Sequence, residues 1–235
     1  KMKLIKLLNR IGIDIKKYPS RDLRRRQMLF NEFKITDVID VGANFGQYGK
    51  EIRNTGFKGN IYSFEPLSFA FNKLKNSSKN DEKWYVNNFA LGSVSEKREI
   101  NIAKNYFSSS FLDQKKELIQ QEPATEYVAK EEVEIKTLDE IFENIYSEEK
   151  NFYLKIDTQG FEREVIKGAS NSLQYIKGIQ LEMSLNPLYE KALDFQDMYN
   201  FIKAEGFELY SIENGFYNAK TGQLNEIEGV FFRPK

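Results

Sequence analysis

The stretch Val38-Ile39-Asp40-Val41-Gly42-Ala43-Asn44-Phe45-Gly46 breaks an apolar run into a turn carrying two glycines and an amide. Glycine lets the backbone approach a ligand closely, and a helix that follows such a turn opens with unpaired N–H groups. A second apolar run ends at Phe64, and Glu65 comes directly after it. An acidic side chain one strand beyond a Gly turn stands where a ribose diol can hydrogen-bond to it. The spacing points to a nucleoside-binding βαβ unit. A third apolar run, 151–156, leads into Asp157 and a turn at Gly160; Glu162 opens the helix that follows, and Glu182 ends the next strand. Asp157, Glu162 and Glu182, with Lys155 beside them, can face one cleft at the C-terminal edge of a sheet, where open α/β folds bind ligands. Crowded acids raise one another's pKa, which can make one of them a competent base. The same oxygens could bind a divalent cation, and Glu162 could equally be an acid favoured at a helix N-terminus.

The turn also discriminates among nucleosides. A dinucleotide fingerprint requires Gly-x-Gly-x-x-Gly, and Asn44 occupies the place of its middle glycine. No Gly-Lys-Ser/Thr is present for a phosphate loop. A sulfonium nucleoside bearing an amino acid makes different demands. Its carboxylate and ammonium can use turn backbone and Asn44, while Glu65 takes the ribose hydroxyls.

Composition narrows the rest. Lys and Arg number 35 against 35 Asp and Glu, so there is no net charge and no general nucleic-acid footprint. Neither His nor Cys occurs. That excludes Ser-His-Asp hydrolysis, thiol catalysis, disulfides and imidazole or thiolate metal sites, and leaves acid–base work to Asp, Glu, Lys or Tyr. No residue is assigned as a metal ligand. The longest apolar runs are too short to cross a bilayer and no secretory h-region is visible, so the expectation is a cytoplasmic protein without a transmembrane segment. The alternating Met2–Leu8 segment reads as a short amphipathic helix that packs on the domain. Arg24-Arg25-Arg26 reads as a solvated helix face, and Trp84 as core.

The elements that must position these residues follow from periodicity. Residues 1–34 read as helical, with Ser20 as a cap. Strands are expected at 37–41, 60–64, 83–87, 97–103, 132–136, 151–156, 177–183, 207–213 and 227–233. Helices are expected at 46–55, 67–78, 137–146, 161–168 and 194–204. Such alternation implies a Rossmann-like, doubly wound α/β fold with a mostly parallel sheet of about seven strands, helices on both faces and a C-terminal antiparallel hairpin. The expected division is an N-terminal helical extension over 1–35 and a catalytic domain over 36–235. Within it, the polar section 104–131 is expected to cover the substrate.

Asp40-Val41-Gly42-Ala43-Asn44-Phe45-Gly46 resembles the first motif of class I S-adenosylmethionine-dependent methyltransferases, in the form typical of the FkbM family. Phe64-Glu65-Pro66 resembles the acidic end of that family's second strand, Asn88-Phe89-Ala90-Leu91-Gly92 its adenine-side segment, and Ser108-Ser109-Ser110 its Ser-rich loop. Val133-Glu134-Ile135-Lys136-Thr137-Leu138-Asp139 resembles the element before the fourth strand. Leu154-Lys155-Ile156-Asp157-Thr158-Gln159-Gly160-Phe161-Glu162, through Lys167-Gly168-Ala169, resembles the second signature, and Leu181-Glu182 fits the strand after it. The resemblance spans 36–233. It departs at Gln159, where the family often has Glu or Val, and at Thr158, where the family varies.

The resemblance implies S-adenosylmethionine as cofactor, held by Asp40, Gly42, Asn44, Gly46, Glu65, Pro66, Asn88, Ala90 and Asp157. It also implies methyl transfer to a hydroxyl of a small molecule or glycan, with Asp157, Glu182 and Lys155 as the catalytic set and no nucleic-acid partner. N-methylation of an amine or amide is the alternative reaction, and a non-catalytic nucleoside-binding scaffold is the alternative class. Oligomeric state is not legible.

Overall fold

The structure, a computed structural model, describes residues 11, 12 and 18–235. The Met2–Leu8 segment therefore lies outside the described residues, and Ile11 and Gly12 form a turn. The first described helix, α1, is Arg21–Glu32, capped where Leu23 N–H donates to Ser20 Oγ at 3.2 Å. The chain continues as β1 Asp37–Val41, α2 Gln47–Asn54, β2 Asn60–Phe64, α3 Ser68–Ser78, β3 Trp84–Asn87, β4 Ala90–Leu91 and β5 Glu96–Ala103. Then come α4 Lys116–Gln121, β6 Tyr127–Lys136, α5 Leu138–Phe142, β7 Phe152–Ile156, α6 Glu162–Lys167, β8 Ile176–Ser184, α7 Phe195–Ala204, β9 Glu208–Asn214 and β10 Glu226–Phe232.

Seven strands form one sheet in the order β3-β2-β1-β7-β8-β10-β9, parallel from β3 to β8 and antiparallel where β10 pairs with β8 and β9. The expected fold is present. The last strand lies inside its hairpin partner, which leaves β9 at the edge. β4, β6 and β5 form a second, three-stranded sheet.

Strand alternation explains the layers. Ile39, Val41, Leu154, Ile156, Ile179 and Leu181 face a cluster with Leu138, Phe142, Val165, Ile166, Met198 and Ile202 of α5, α6 and α7. Val38, Ile61, Tyr153, Val230 and Phe232 face the other way, onto Phe30, Tyr48, Ile52 and Leu74 of α1, α2 and α3. Both faces of β1 and β7 are buried, so these strands read as apolar runs interrupted only by Asp37, Asp40 and Lys155. The second face also carries a polar row in register across three strands, Asp40, Lys155 and Gln180.

Three expectations require correction. β6 begins at Tyr127, well before 132, because its largely exposed first half pairs with β5 at residues such as Lys130 opposite Asn101. The helix expected over 137–146 ends at Phe142, after which Asn144, Ile145 and Tyr146 continue as turns with N–H bonds to Ile141 and Phe142 carbonyls. Inside 104–131, where the periodicity indicates no helix, α4 forms. Among the described residues no helix is long and apolar enough to cross a membrane.

Candidate active site

The C-terminal ends of β1, β2 and β7 open into a cavity of about 270 Å³. The turn after β1 closes one side. Gly42 and Ala43 N–H both donate to the Phe64 carbonyl, at 3.0 Å each, and draw the end of β1 against β2. Gly42 has φ +73°, and a Cβ there would stand 1.9 Å from the Asp157 carbonyl oxygen. Both observations require glycine, because the turn touches the end of β7 backbone to backbone.

Glu65 is fixed by that turn. Its Oε2 accepts from Asn44 N–H at 2.8 Å and its Oε1 from Leu67 N–H at 2.9 Å. Each oxygen keeps a further lone pair for a ligand. Burial pushes the Glu65 carboxyl up to about 7, against the pull of those two N–H groups. Pro66, Leu67, Ala90 and Leu91 continue this wall.

The opposite end of the cavity is organised by Gln159, itself at φ +55°. Its Nε2 donates to Asp157 Oδ1 and to Glu182 Oε2, both at 2.9 Å, and its Oε1 accepts from the Tyr189 hydroxyl at 2.8 Å. Asp157 Oδ2 in turn meets Lys155 Nζ at 3.2 Å, and Asp40 Oδ1 lies 3.6 Å from the same ammonium. Burial works against the Lys155 charge, but Asp157, Asp40 and Glu228 outweigh it and hold the ammonium above the ordinary lysine range. Lys155 is thus a fixed cation rather than a proton acceptor near neutral pH.

The sequence-predicted residues separate by place. Gly42, Asn44, Glu65, Pro66, Ala90, Asp157 and Glu182 line the cavity together. Asp40 is fully buried beneath the turn, accepting from Ser63 Oγ at 3.1 Å, with its Oδ1 lacking a hydrogen bond. Gly46 packs away from the cavity, where a Cβ would meet Leu74 and Trp84 at 3.0 and 3.1 Å. Asn88 braces the wall from behind, its Nδ2 donating to the Glu65 and Pro66 carbonyls at 3.0 and 2.9 Å. Lys155 lines a second cavity of about 290 Å³, shared with Gly42, Asn44, Asp157 and Glu228. Glu162 staples the 158–160 turn, its Oε1 accepting from Thr158 N–H at 3.0 Å and Gly160 N–H at 3.1 Å.

Sequence reasoning missed Tyr189 and Glu226, and it discounted Gln159. Nothing near Glu226 in the chain signals a site; it arrives through the pairing of β10 with β8. Residues 105–109, with Leu118, Glu122 and Thr125, form the remaining wall. Among the described residues, Glu65, Glu122, Asp157, Glu182 and Glu226 line the cavity, and no Lys or Arg does. That donor set fits a nucleoside carrying a sulfonium and an ammonium. Among the described residues no group of three or more acids is arranged to hold a metal ion.

A family profile described as the methyltransferase FkbM domain matches residues 40–209, well over half of the chain. Among solved structures, TrmK of M. capricolum in complex with S-adenosylhomocysteine is 8% identical with a TM-score of 0.52, covering 93% of this chain and 70% of its own. An uncharacterized protein from Listeria monocytogenes serotype 4b is 7% identical with a TM-score of 0.50, covering 92% of this chain and 68% of its own. At such identities these two likenesses show the fold. No curated protein matches the chain.

Proposed function

This chain belongs to the methyltransferase FkbM domain family and is an S-adenosylmethionine-dependent methyltransferase, and we propose from that footing that it methylates a hydroxyl oxygen of a small molecule or glycan. The observation that carries the reading is the wall of the cavity beyond Asp157, built of carboxylates, hydroxyls, amides and aromatic rings with no Lys or Arg among the described residues. Such a wall offers acceptors to the O–H groups of a neutral polyol and repels phosphate.

In this reading Gly42, Asn44, Glu65, Pro66 and Ala90 hold the cofactor, which when bound supplies a methyl carbon on a good leaving group. The task left to the protein is alignment. Asp157, clamped between Lys155 and Gln159, orients the acceptor hydroxyl. The 104–131 section covers the acceptor, and 36–235 is the catalytic domain to which 1–35 is an extension.

A second reading is favoured by the same carboxylates, which would also attract an amine in its ammonium form. The test is transfer from methyl-labelled S-adenosylmethionine to three panels: neutral sugars and alcohols, primary amines, and RNA. Label in an ether of the first panel is the expected result. Label confined to amines or to RNA would sink the hydroxyl assignment.

A further inference from the structure

Glu226 is buried, with 5% of its surface exposed, yet it lines the cavity. It opens β10, and its register places it diagonally across from Glu182 of β8: Glu226 stands opposite Ser184, and Glu228 opposite Glu182. Residues two apart on a strand share a face, so the Glu226 and Glu182 side chains come from the same side of the sheet. Their carboxyl groups meet. The hydrogen-bond partner of the Glu226 carboxyl is that carboxyl, and no N–H or O–H donor among the described residues is bonded to it. Glu182, by contrast, is held by Gln159 Nε2. Two carboxylates in contact, Glu226 buried and Glu182 half-buried, do not both stay ionised, and one shared proton resolves the conflict.

We propose that Glu226 and Glu182 form a carboxyl–carboxylate pair that receives the acceptor's proton, which makes Glu226 a catalytic residue of the methyl transfer. The inference rests on the reading that a protic acceptor occupies this end of the cavity. The acceptor O–H bond breaks as its oxygen bonds the methyl carbon, and the electrons of the carbon–sulfur bond stay with sulfur. The proton passes to the pair, which then holds two protons and releases one to solvent before the next turnover.

The surroundings favour this assignment. Burial pushes Glu226 up to about 7, and burial together with Glu226, Asp157 and Glu162 pushes Glu182 well above the ordinary carboxylate range. The groups facing the pair are Asp157 after β7, Glu162 of α6, Tyr189 after β8 and Glu228 of β10. Lys155 is committed to Asp157 and Asp40 and leaves the pair without a cation. Both Asp157 oxygens are already engaged, Oδ2 by that ammonium and Oδ1 by Gln159 Nε2.

The experiment is infrared titration of the purified chain, with no acceptor present, for the wild type and for Glu226→Gln and Glu182→Gln. The wild type should show protonated carboxyl C=O absorption persisting through neutral pH, to which Glu65 also contributes. The wild-type-minus-variant difference spectrum of either Gln variant should show the loss of one such carboxyl, because the amide donates where the shared proton stood. A difference spectrum without that loss in either variant overturns the pair. Calorimetry should give S-adenosylmethionine affinity within about twofold of wild type, which also confirms folding; loss of that affinity would make Glu226 a cofactor or packing residue and overturn the role. With an acceptor, Glu226→Gln should lower kcat by about 10²-fold or more and remove the acid limb of its pH profile, and Glu226→Asp should restore part of both. An unchanged kcat on a hydroxyl acceptor overturns the pair while the hydroxyl reading stands. The same loss seen on an amine acceptor supports the pair while the hydroxyl reading falls.

Discussion

At the scale of single residues, the site rests on carboxylates whose behaviour is set by what touches them. Glu65 is held by two N–H groups and points its remaining lone pairs into the cavity. Replacing it with Ala should weaken S-adenosylmethionine binding at least about tenfold, or about 1.4 kcal/mol, as read by calorimetry. The same change leaves the Asn44 and Leu67 N–H groups unpaired and should cost about 1–3 kcal/mol of stability. Gln159 is a positioning residue. Gln159→Leu cuts its bonds to Asp157, Glu182 and Tyr189. It should lower kcat about tenfold or more while leaving cofactor affinity close to wild type; a loss confined to cofactor affinity would move Gln159 to the other end of the site. The acids at 65, 157 and 182 were legible because each stands at the end of an apolar run. Glu226 also opens a strand, but its meaning depends on a neighbour 44 residues earlier in the chain.

At the scale of elements, the β1 turn and the α1 helix carry the sharpest consequences. Gly42→Ala would drive a methyl group into the Asp157 carbonyl and strain a left-handed backbone. The expected result is a loss of about 2 kcal/mol or more together with cofactor binding, measured by chemical denaturation and calorimetry. Arg26 of α1, which the sequence suggested was a solvated face, is buried and paired with Glu213 of β9 and Glu51 of α2. Arg26→Ala strands a buried carboxylate and should cost about 3–5 kcal/mol, whereas replacing Arg26 and Glu213 together with apolar residues should recover much of that loss. Element positions in the parallel core were readable because both faces of β1 and β7 are buried, which writes a short apolar signature broken only at Asp37, Asp40 and Lys155. The first half of β6 was not readable. Its exposed Ala129 and Lys130 and half-buried Glu131 carry no strand pattern, and only pairing with β5 makes them a strand.

At the scale of the whole molecule, the site's carboxyl groups set how stability responds to pH. Glu65 and Glu226 both rise from an ordinary 4.5 to about 7 on folding. Between those values the folded chain holds protons that the unfolded chain has released, so their contribution is fully present below about 4.5 and is lost as pH rises through 7. A fully displaced group changes stability by about 1.4 kcal/mol per pH unit in that window. Calorimetric melting should therefore give a higher Tm at pH 5.5 than at pH 7.5, and Glu226→Gln should shrink the difference; a Tm that rises across the window would contradict these burial effects. The sequence by itself determined the layered α/β order, the Gly turn, the ribose-side acid and the family, because each is written in local periodicity or in a contiguous motif. Tertiary structure alone decided that Asp40 and Gly46 sit behind the site, that Gln159 ties Asp157 to Glu182, and that Glu226 joins them. Those outcomes depend on strand register and on which backbone ends meet, and register is set by packing between segments far apart in the chain.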